Sequence, residues 1–323
     1  MNVDFWNKDT EDLLFSVPVA GVIGNFASAP AVNIASMNNR GVDIQLINRG
    51  KFGRNWNYEI GWTNSFLKNE ITFIAPGQEF FGGSGYRGIN PIRNAVGQSL
   101  SSFFGYKVIG YFKDAADVSS SPAQSGAGVG RFKYEDVNGD GKITPDDRTF
   151  IGSPVPDYSG GLNIDVSYKN FTVGAYAYIQ LGNEIFNMSK WFTDFHGTFE
   201  GSGKGVRAKE SWTPALGDNA KVPIWESASN ISTSGAENSW YVENGSYARL
   251  SNIRVAYDLS ERLIRPMGIS RVRLGLVASN IFTITKYEGL DPQVGGDVDT
   301  NFGIDVGNYP MTRGFNFTLT LGF

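Results

Sequence analysis

The chain has 323 residues, with 40 glycines, 14% aromatic and 19% charged residues, a balance that suits strands, turns and long loops better than helical bundles. A net charge of −4 argues against nucleic acid as a partner, and the absence of cysteine excludes zinc–thiolate sites, thiol catalysis and disulfide scaffolds. No run of about 18 apolar residues occurs, so no transmembrane helix is expected.

Residues 3–15 mix aromatics with Lys8, Asp9, Glu11 and Asp12 and read as a weak strand, followed by a loop rich in Gly, Ala, Pro and Asn to Asn39. Its apolar stretch, 17–35, is broken by Pro18, Gly21, Gly24 and Pro30. Val42, Ile44 and Leu46 then alternate with Asp43 and Gln45, and a turn is expected to start at Asn48-Arg49-Gly50. Trp56, Tyr58, Ile60, Trp62 and Phe66 alternate with Asn57, Glu59, Gly61, Thr63 and Ser65. Period two puts each apolar set on one face of a strand, so this is a predicted hairpin. Residues 68–157 read as irregular, with glycine clusters at 82–88 and 126–130 and a local strand over 103–112.

A second hairpin follows: Leu162, Ile164, Val166 and Tyr168 share a face, Lys169-Asn170 turns the chain, and Phe171, Val173, Ala175, Ala177, Ile179 and Leu181 continue the face. After a long loop over 183–245, Ile253, Val255, Tyr257 and Leu259 form a strand face, then Val272, Leu274, Leu276, Ala278 and Phe282 another. A third long loop, 284–312, precedes the closing strand, where Phe315, Phe317, Leu319, Leu321 and Phe323 alternate with Asn316, Thr318, Thr320 and Gly322. Such an apolar face needs either the core of a soluble sandwich or the lipid around a barrel.

Connections decide between the two. Short links at 49–55, 169–170 and 260–269 alternate with long ones at 16–37, 68–157, 183–245 and 284–312. That alternation gathers every long loop on one side of a sheet, as in outer-membrane barrels, and a sandwich has no reason for it. The middles of the apolar faces carry no charge, whereas the opposite faces hold Asp43, Glu59, Asp165, Arg254, Asp258, Arg271 and Arg273. Arg40, Arg249 and Arg313 share an apolar face at long-loop ends, where they are expected to snorkel toward headgroups. The expected fold is all-β: about eight antiparallel transmembrane β-barrel strands with long extracellular loops.

One motif resembles a metal site. Asp136, Asn138 and Asp140, the Lys142 carbonyl and Asp147 occupy positions 1, 3, 5, 7 and 12 of a calcium-loop template, with Gly141 at the sharp turn and Ile143 as anchor. Asp147 stands where a bidentate Glu is usual, and no flanking helices are evident. The alternative is a loop held by Asx turns alone. His196 is the only histidine and reads as a solvent-exposed loop residue, so Ser-His-Asp chemistry has no other base. Glu243 with Asp258 forms a conceivable acid pair without evidence of a shared pocket. The loop aromatics Trp191, Trp212, Trp225, Trp240 and Tyr241 suit self-packing or sugar stacking. No enzyme activity is expected.

Several ordered blocks resemble the SusC/RagA-like TonB-dependent transporters. They are residues 7–14, Asn39-Arg-Gly-Val-Asp43, Phe104-Gly-Tyr-Lys-Val108, Tyr134 through Ile143 with Asp147-Arg148, and Gly152-Ser-Pro-Val-Pro156. They continue with Gly182 through Asn187, Gly245 through Leu250, Ser279-Asn-Ile-Phe282 and Tyr287 through Pro292. The resemblance implies that residues 1–323 are the C-terminal part of such a transporter, with about eight strands of a wall of about 22. The signal peptide, TonB box and plug would lie outside them. It also implies a Bacteroidota-like outer-membrane importer of oligosaccharides or peptides, working with a SusD-like lipoprotein and with TonB through the missing N-terminal region. A fragment of this wall is not expected to transport alone, since an open sheet cannot span lipid. The rival reading is a secreted, calcium-stabilised β-sheet protein that binds glycans.

Overall fold

The computed structural model describes residues 1–16, 31–83, 85–199, 201–296 and 301–323. Eight strands form one antiparallel sheet in chain order: β1 (Asn2–Ser16), β2 (Ala31–Phe52), β3 (Trp56–Ile74), β4 (Tyr158–Tyr168), β5 (Phe171–Leu181), β6 (Tyr247–Asp258), β7 (Arg271–Thr285) and β8 (Gly314–Gly322). Most of the expected 16–37 loop lies outside the described residues, and β2 already begins at Ala31.

Short connections lie at one end of the sheet, at 53–55, Lys169-Asn170 and 259–270. The first turn is not at Asn48-Arg49-Gly50, which stays in β2 paired with Ile60, Glu59 and Tyr58. The chain reverses at Gly53-Arg54-Asn55, because Gly53 takes the left-handed φ of +65° that a side chain resists. β3 also runs on to Ile74, beyond the expected end of its hairpin.

The apolar faces are bare. Phe315, Phe317, Leu319 and Leu321 are all exposed, with Phe317 at 83%. Cross-strand registry joins such residues into rows: Phe317, Leu276, Val255, Val173, Val166 and Tyr58 lie side by side through six strands. No second sheet covers them among the described residues, so the sandwich is excluded. Total accessible surface is 18330 Å², against about 13,000 Å² expected for a compact chain of this mass.

A second structural region gathers the long connections. Residues read as irregular form short strands: Phe103–Tyr106 pairs with Arg148–Gly152, and Val108–Tyr111 with Phe132–Tyr134. The expected strand over 103–112 is thus two strands, broken at Lys107. Glu184–Asn187 pairs with Val242–Asn244 and, in parallel, with Ile304–Asp305, tying the second long loop to the third. These pieces surround a core in which Phe103, Phe132, Phe186 and Tyr241 are fully buried. Strands of two to five residues are too short to show a period, which is why this region read as loop.

Candidate functional site

The sheet's inner face is polar. Asp43, Gln45, Thr63, Ser65, Tyr176 and Tyr178 line a recess of about 320 Å³. Of the inner-face charges expected from sequence, Asp165, Arg254, Asp258, Arg271 and Arg273 are paired with one another. Arg254 Nε donates to Asp165 Oδ1 at 3.1 Å. The pair crosses Gly174, where a Cβ would come within 2.6 Å of that oxygen, so any larger residue would push the pair aside. Arg271 and Arg273 lie 3.3 and 3.5 Å from Asp258.

Arg249 is the exception to the expected charge layout. It does not snorkel outward: the residue is 4% exposed, with Nε donating to Thr283 Oγ1 at 2.9 Å, Nη1 to Gln293 Oε1 at 2.8 Å, and Nη2 to Asp291. A β-bulge explains it. Between Asn252 and Leu250 the register against β5 slips, leaving Ser251 without a partner. That one residue moves Arg249 from the face of Ile253 and Val255 to the opposite face. Burial works to raise the Asp291 carboxyl, but N–H donors from Gln293 and Met311 and the Arg249 guanidinium hold it below its usual range. Arg40 and Arg313 are exposed.

The outer face carries a feature that sequence reading missed. Phe52, Trp56, Tyr168, Phe171 and Tyr257 are successive cross-strand neighbours, making an aromatic row at the short-turn end. Trp56 and Tyr168, like Phe171 and Tyr257, have ring centroids 4.5 Å apart. Toward the long-loop end, Phe66 faces Tyr158 at 5.1 Å. Tyr158 and Tyr168 are the two ends of β4, roughly 33 Å apart at about 3.3 Å per residue and roughly 25 Å apart along a barrel axis at a tilt of about 40°. That is the height of a barrel's apolar band between its aromatic girdles. Residue spacing across strands carried this signal, so a reading strand by strand passed it over.

In loop 136–147 the motif residues come together around backbone donors. Asp136 accepts from Gly139 N at 2.7 Å and Gly141 N at 2.9 Å, Asn138 from Asp140 N at 2.9 Å, and Asp140 from Lys142 N at 2.8 Å. Asp147 is fully buried, with one oxygen accepting from Val137 N at 3.0 Å and the other from Thr144 N at 2.8 Å. Burial works to raise its pKa, and the donors from Thr144, Asn138 and Val137 together pull it below the usual range. Asp147 therefore frames the loop from inside, whereas Asp136, Asn138, Asp140 and Lys142 lie nearer solvent. Among the described residues no three His, Asp or Glu side chains converge as a metal site.

The remaining sequence candidates separate. His196 is exposed, edge-on to Trp225 at 5.3 Å. Trp212 is buried and Trp191 and Trp240 pack on the same core, so these three rings hold the loop region together. Glu243 precedes β6 and Asp258 ends it, roughly 50 Å of chain apart at about 3.3 Å per residue, so they form no acid pair.

Glu243 instead belongs to a charge cluster that sequence did not reveal. It lies 2.8 Å from Lys190 Nζ, which also donates to Trp240 O at 2.8 Å. Arg207 Nε sits 3.0 Å from Asp194, and its Nη1 pairs with Glu288. Burial pushes the Lys190 ammonium below its usual pKa and the Asp194 carboxyl above its own. Burial also works to raise Glu243, but Lys190 and donors from Glu288 N and Asn187 hold it low. The cluster floors a cleft of about 650 Å³ lined by Phe192, Asp194, Val206, Arg207, Leu290 and Val306. Arg207, Lys221 and Glu288 are shared with an adjoining recess of about 300 Å³ that reaches Lys190, Glu243 and Lys286.

No family model matches the chain. It is 29% identical over 338 residues to TonB-dependent receptor P3 of Formosa agariphila, a match covering 100% of this chain and 32% of the receptor. This chain is similar to TonB-dependent receptors. It is also 26% identical over 333 residues to TonB-dependent receptor SusC of Bacteroides thetaiotaomicron, covering 99% of this chain and 30% of SusC. The structure of the RagAB peptide transporter matches with a TM-score of 0.77 at 23% identity, over 99% of this chain and 33% of that one. This likeness shows the fold: the eight-stranded sheet is a segment of such a barrel wall. The chain spans about a third of the length of the curated relatives it matches. Those relatives are receptors and transporters by name, not enzymes.

Proposed function

We propose that this chain is part of the wall and loop surface of a TonB-dependent outer-membrane importer of oligosaccharides or peptides. The observation that carries the reading is the uncharged outer band between two aromatic levels, roughly the height of a bilayer core. The outer edges of β1 and β8 have no partner among the described residues. Backbone groups at such edges cannot face lipid, so the remaining strands of a closed wall must meet them. In this reading residues 1–323 are a segment of that wall, and the long loops face outward to meet a SusD-like lipoprotein. TonB would act through a plug supplied by other residues of the protein. The relatives named TonB-dependent receptors and the RagAB transporter support it.

The test is cell fractionation of the protein that carries this chain, in a Bacteroidota host. Import predicts outer-membrane recovery, extraction only by detergent, and a band whose mobility changes on heating. Monodisperse protein in detergent-free buffer would sink the reading and favour the secreted glycan binder.

Calcium in loop 136–147 is a separate proposal. Asp136, Asn138, Asp140 and the Lys142 carbonyl would take the ion while Asp147 keeps the frame. A rise in Tm with millimolar calcium, reversed by chelator and lost in Asp140→Ala, supports it; an unchanged Tm overturns it.

A further inference from the structure

We infer that the cleft between Phe192, Val206, Leu290 and Val306 recognises a short peptide bearing a carboxylate beside an apolar side chain. The inference rests on the import reading and narrows its substrate class. The cleft's size, about 650 Å³, lies within the range of roughly 300–1,000 Å³ typical of small-ligand sites.

The walls select for an aliphatic group. Val206 is 80% exposed and Leu290 66%, and Val306 is also open, so three branched side chains share one hollow without apolar cover. Sugars are gripped by flat aromatic faces and paired hydroxyl partners. Phe192, the one ring in the hollow, is met edge-on by Trp191 and Phe199. An apolar peptide side chain fits this surface better than a pyranose does.

The charges select for an anion. Each carboxylate in the cleft and its adjoining recess has a cation: Asp194 and Glu288 share Arg207, and Glu243 has Lys190. On the other side, Lys221 pairs only with Glu210 in an exposed contact, a kind worth little. Lys286 makes no ion pair among the described residues. Lys286 and Lys221 are thus the two cations at the mouth that no carboxylate of the cleft takes up, and a ligand carboxylate would meet them there. The segment presenting Lys286 and Leu290 is anchored, since Glu288 N donates to Glu243 Oε2 at 2.8 Å and the buried Tyr287 hydroxyl bonds Asp305. Anchoring keeps the cation and the aliphatic wall in fixed relation, which lowers the cost of ordering on binding.

The test uses the whole transporter purified in detergent and a fluorescent hexapeptide, acetylated at its N-terminus, ending in Leu-Leu with a free carboxylate. Anisotropy titration is expected to show saturable binding, weakened about tenfold or more by C-terminal amidation and similarly by Lys221→Ala with Lys286→Ala. Leu290→Asp is expected to weaken it as well. All three substitutions are at exposed positions, and retained heat-modifiable mobility shows that the barrel is intact. Equal binding of the free and amidated peptides overturns the inference, as does indifference to the lysine substitutions. Binding of a uronate trisaccharide in place of the peptide overturns the substrate class. Each of these failures leaves the outer-membrane reading standing, because fractionation tests that independently.

Discussion

The strand wall and the loop region are built from similar residues with opposite polarity. In the loop region aromatic side chains go inside, and Phe103, Phe132, Phe186 and Tyr241 have no exposed surface. In the wall they go outside, and Phe5, Phe52 and Phe317 are each about four-fifths exposed. The wall's inner face is lined instead by Thr63, Ser65, Asn163, Thr172 and Thr318, with Arg254 paired to Asp165 and Arg271 and Arg273 to Asp258. The hydrophobic effect acts on both regions. What differs is the medium beyond the surface: water around the loops, and, in the proposed setting, hydrocarbon around the sheet.

The junction of the two regions is where the largest effect is expected. Arg249→Leu removes one partner of a buried ion pair and leaves Asp291 uncompensated, at a cost of about 3–5 kcal/mol. Hydrogen exchange should show residues 286–296 losing protection while the pairing of β4 with β5 survives. Unchanged protection would mean the bulge at Ser251 does not set the junction.

The wall makes the next prediction. Ile60→Arg, in a middle row of the apolar band opposite Ile164, should lower barrel assembly by about 2–4 kcal/mol, read as loss of the heat-modifiable form. In water the same exposed position would tolerate arginine, so normal assembly would reverse the polarity assigned to this face.

The loop region responds to pH in a defined direction. The folded pKa of Asp147 is depressed, so its contribution is complete above the unfolded value of about 4 and is lost as pH falls through the folded value. Asp147→Asn should cost about 1–3 kcal/mol near neutral pH and flatten the acid limb of the loop region's melting profile. An unaltered acid limb would show that other groups govern it.

The smallest effect belongs to the girdle. Phe52→Arg, at the hairpin end, should cost only about 0–1 kcal/mol in the assay used for Ile60→Arg. Equal penalties at the two positions would remove the depth dependence that separates a bilayer from a protein core.

Much of the wall was readable from residue order. Leu162 through Leu181 announced a hairpin because both strands alternate without interruption and the Lys169-Asn170 turn is two residues long. The loop core was not readable, since its partners are far apart in the chain. The Gln124 amide donates to Ser232 across 108 positions and the Tyr134 hydroxyl reaches Ile231 across 97. The cleft at Arg207, Glu243 and Glu288 was hidden for the same reason.

Alternation is a local property, so the amino-acid order alone determined how many strands this sheet has, where its long loops fall and which side chains share a face within each unbroken run. Only the tertiary structure decided that the apolar faces are uncovered, that their aromatic ends align across strands, and that Ser251 shifts Arg249 to the inner side. Those outcomes depend on pairing between strands, and one unpaired residue in that pairing reverses every face beyond it.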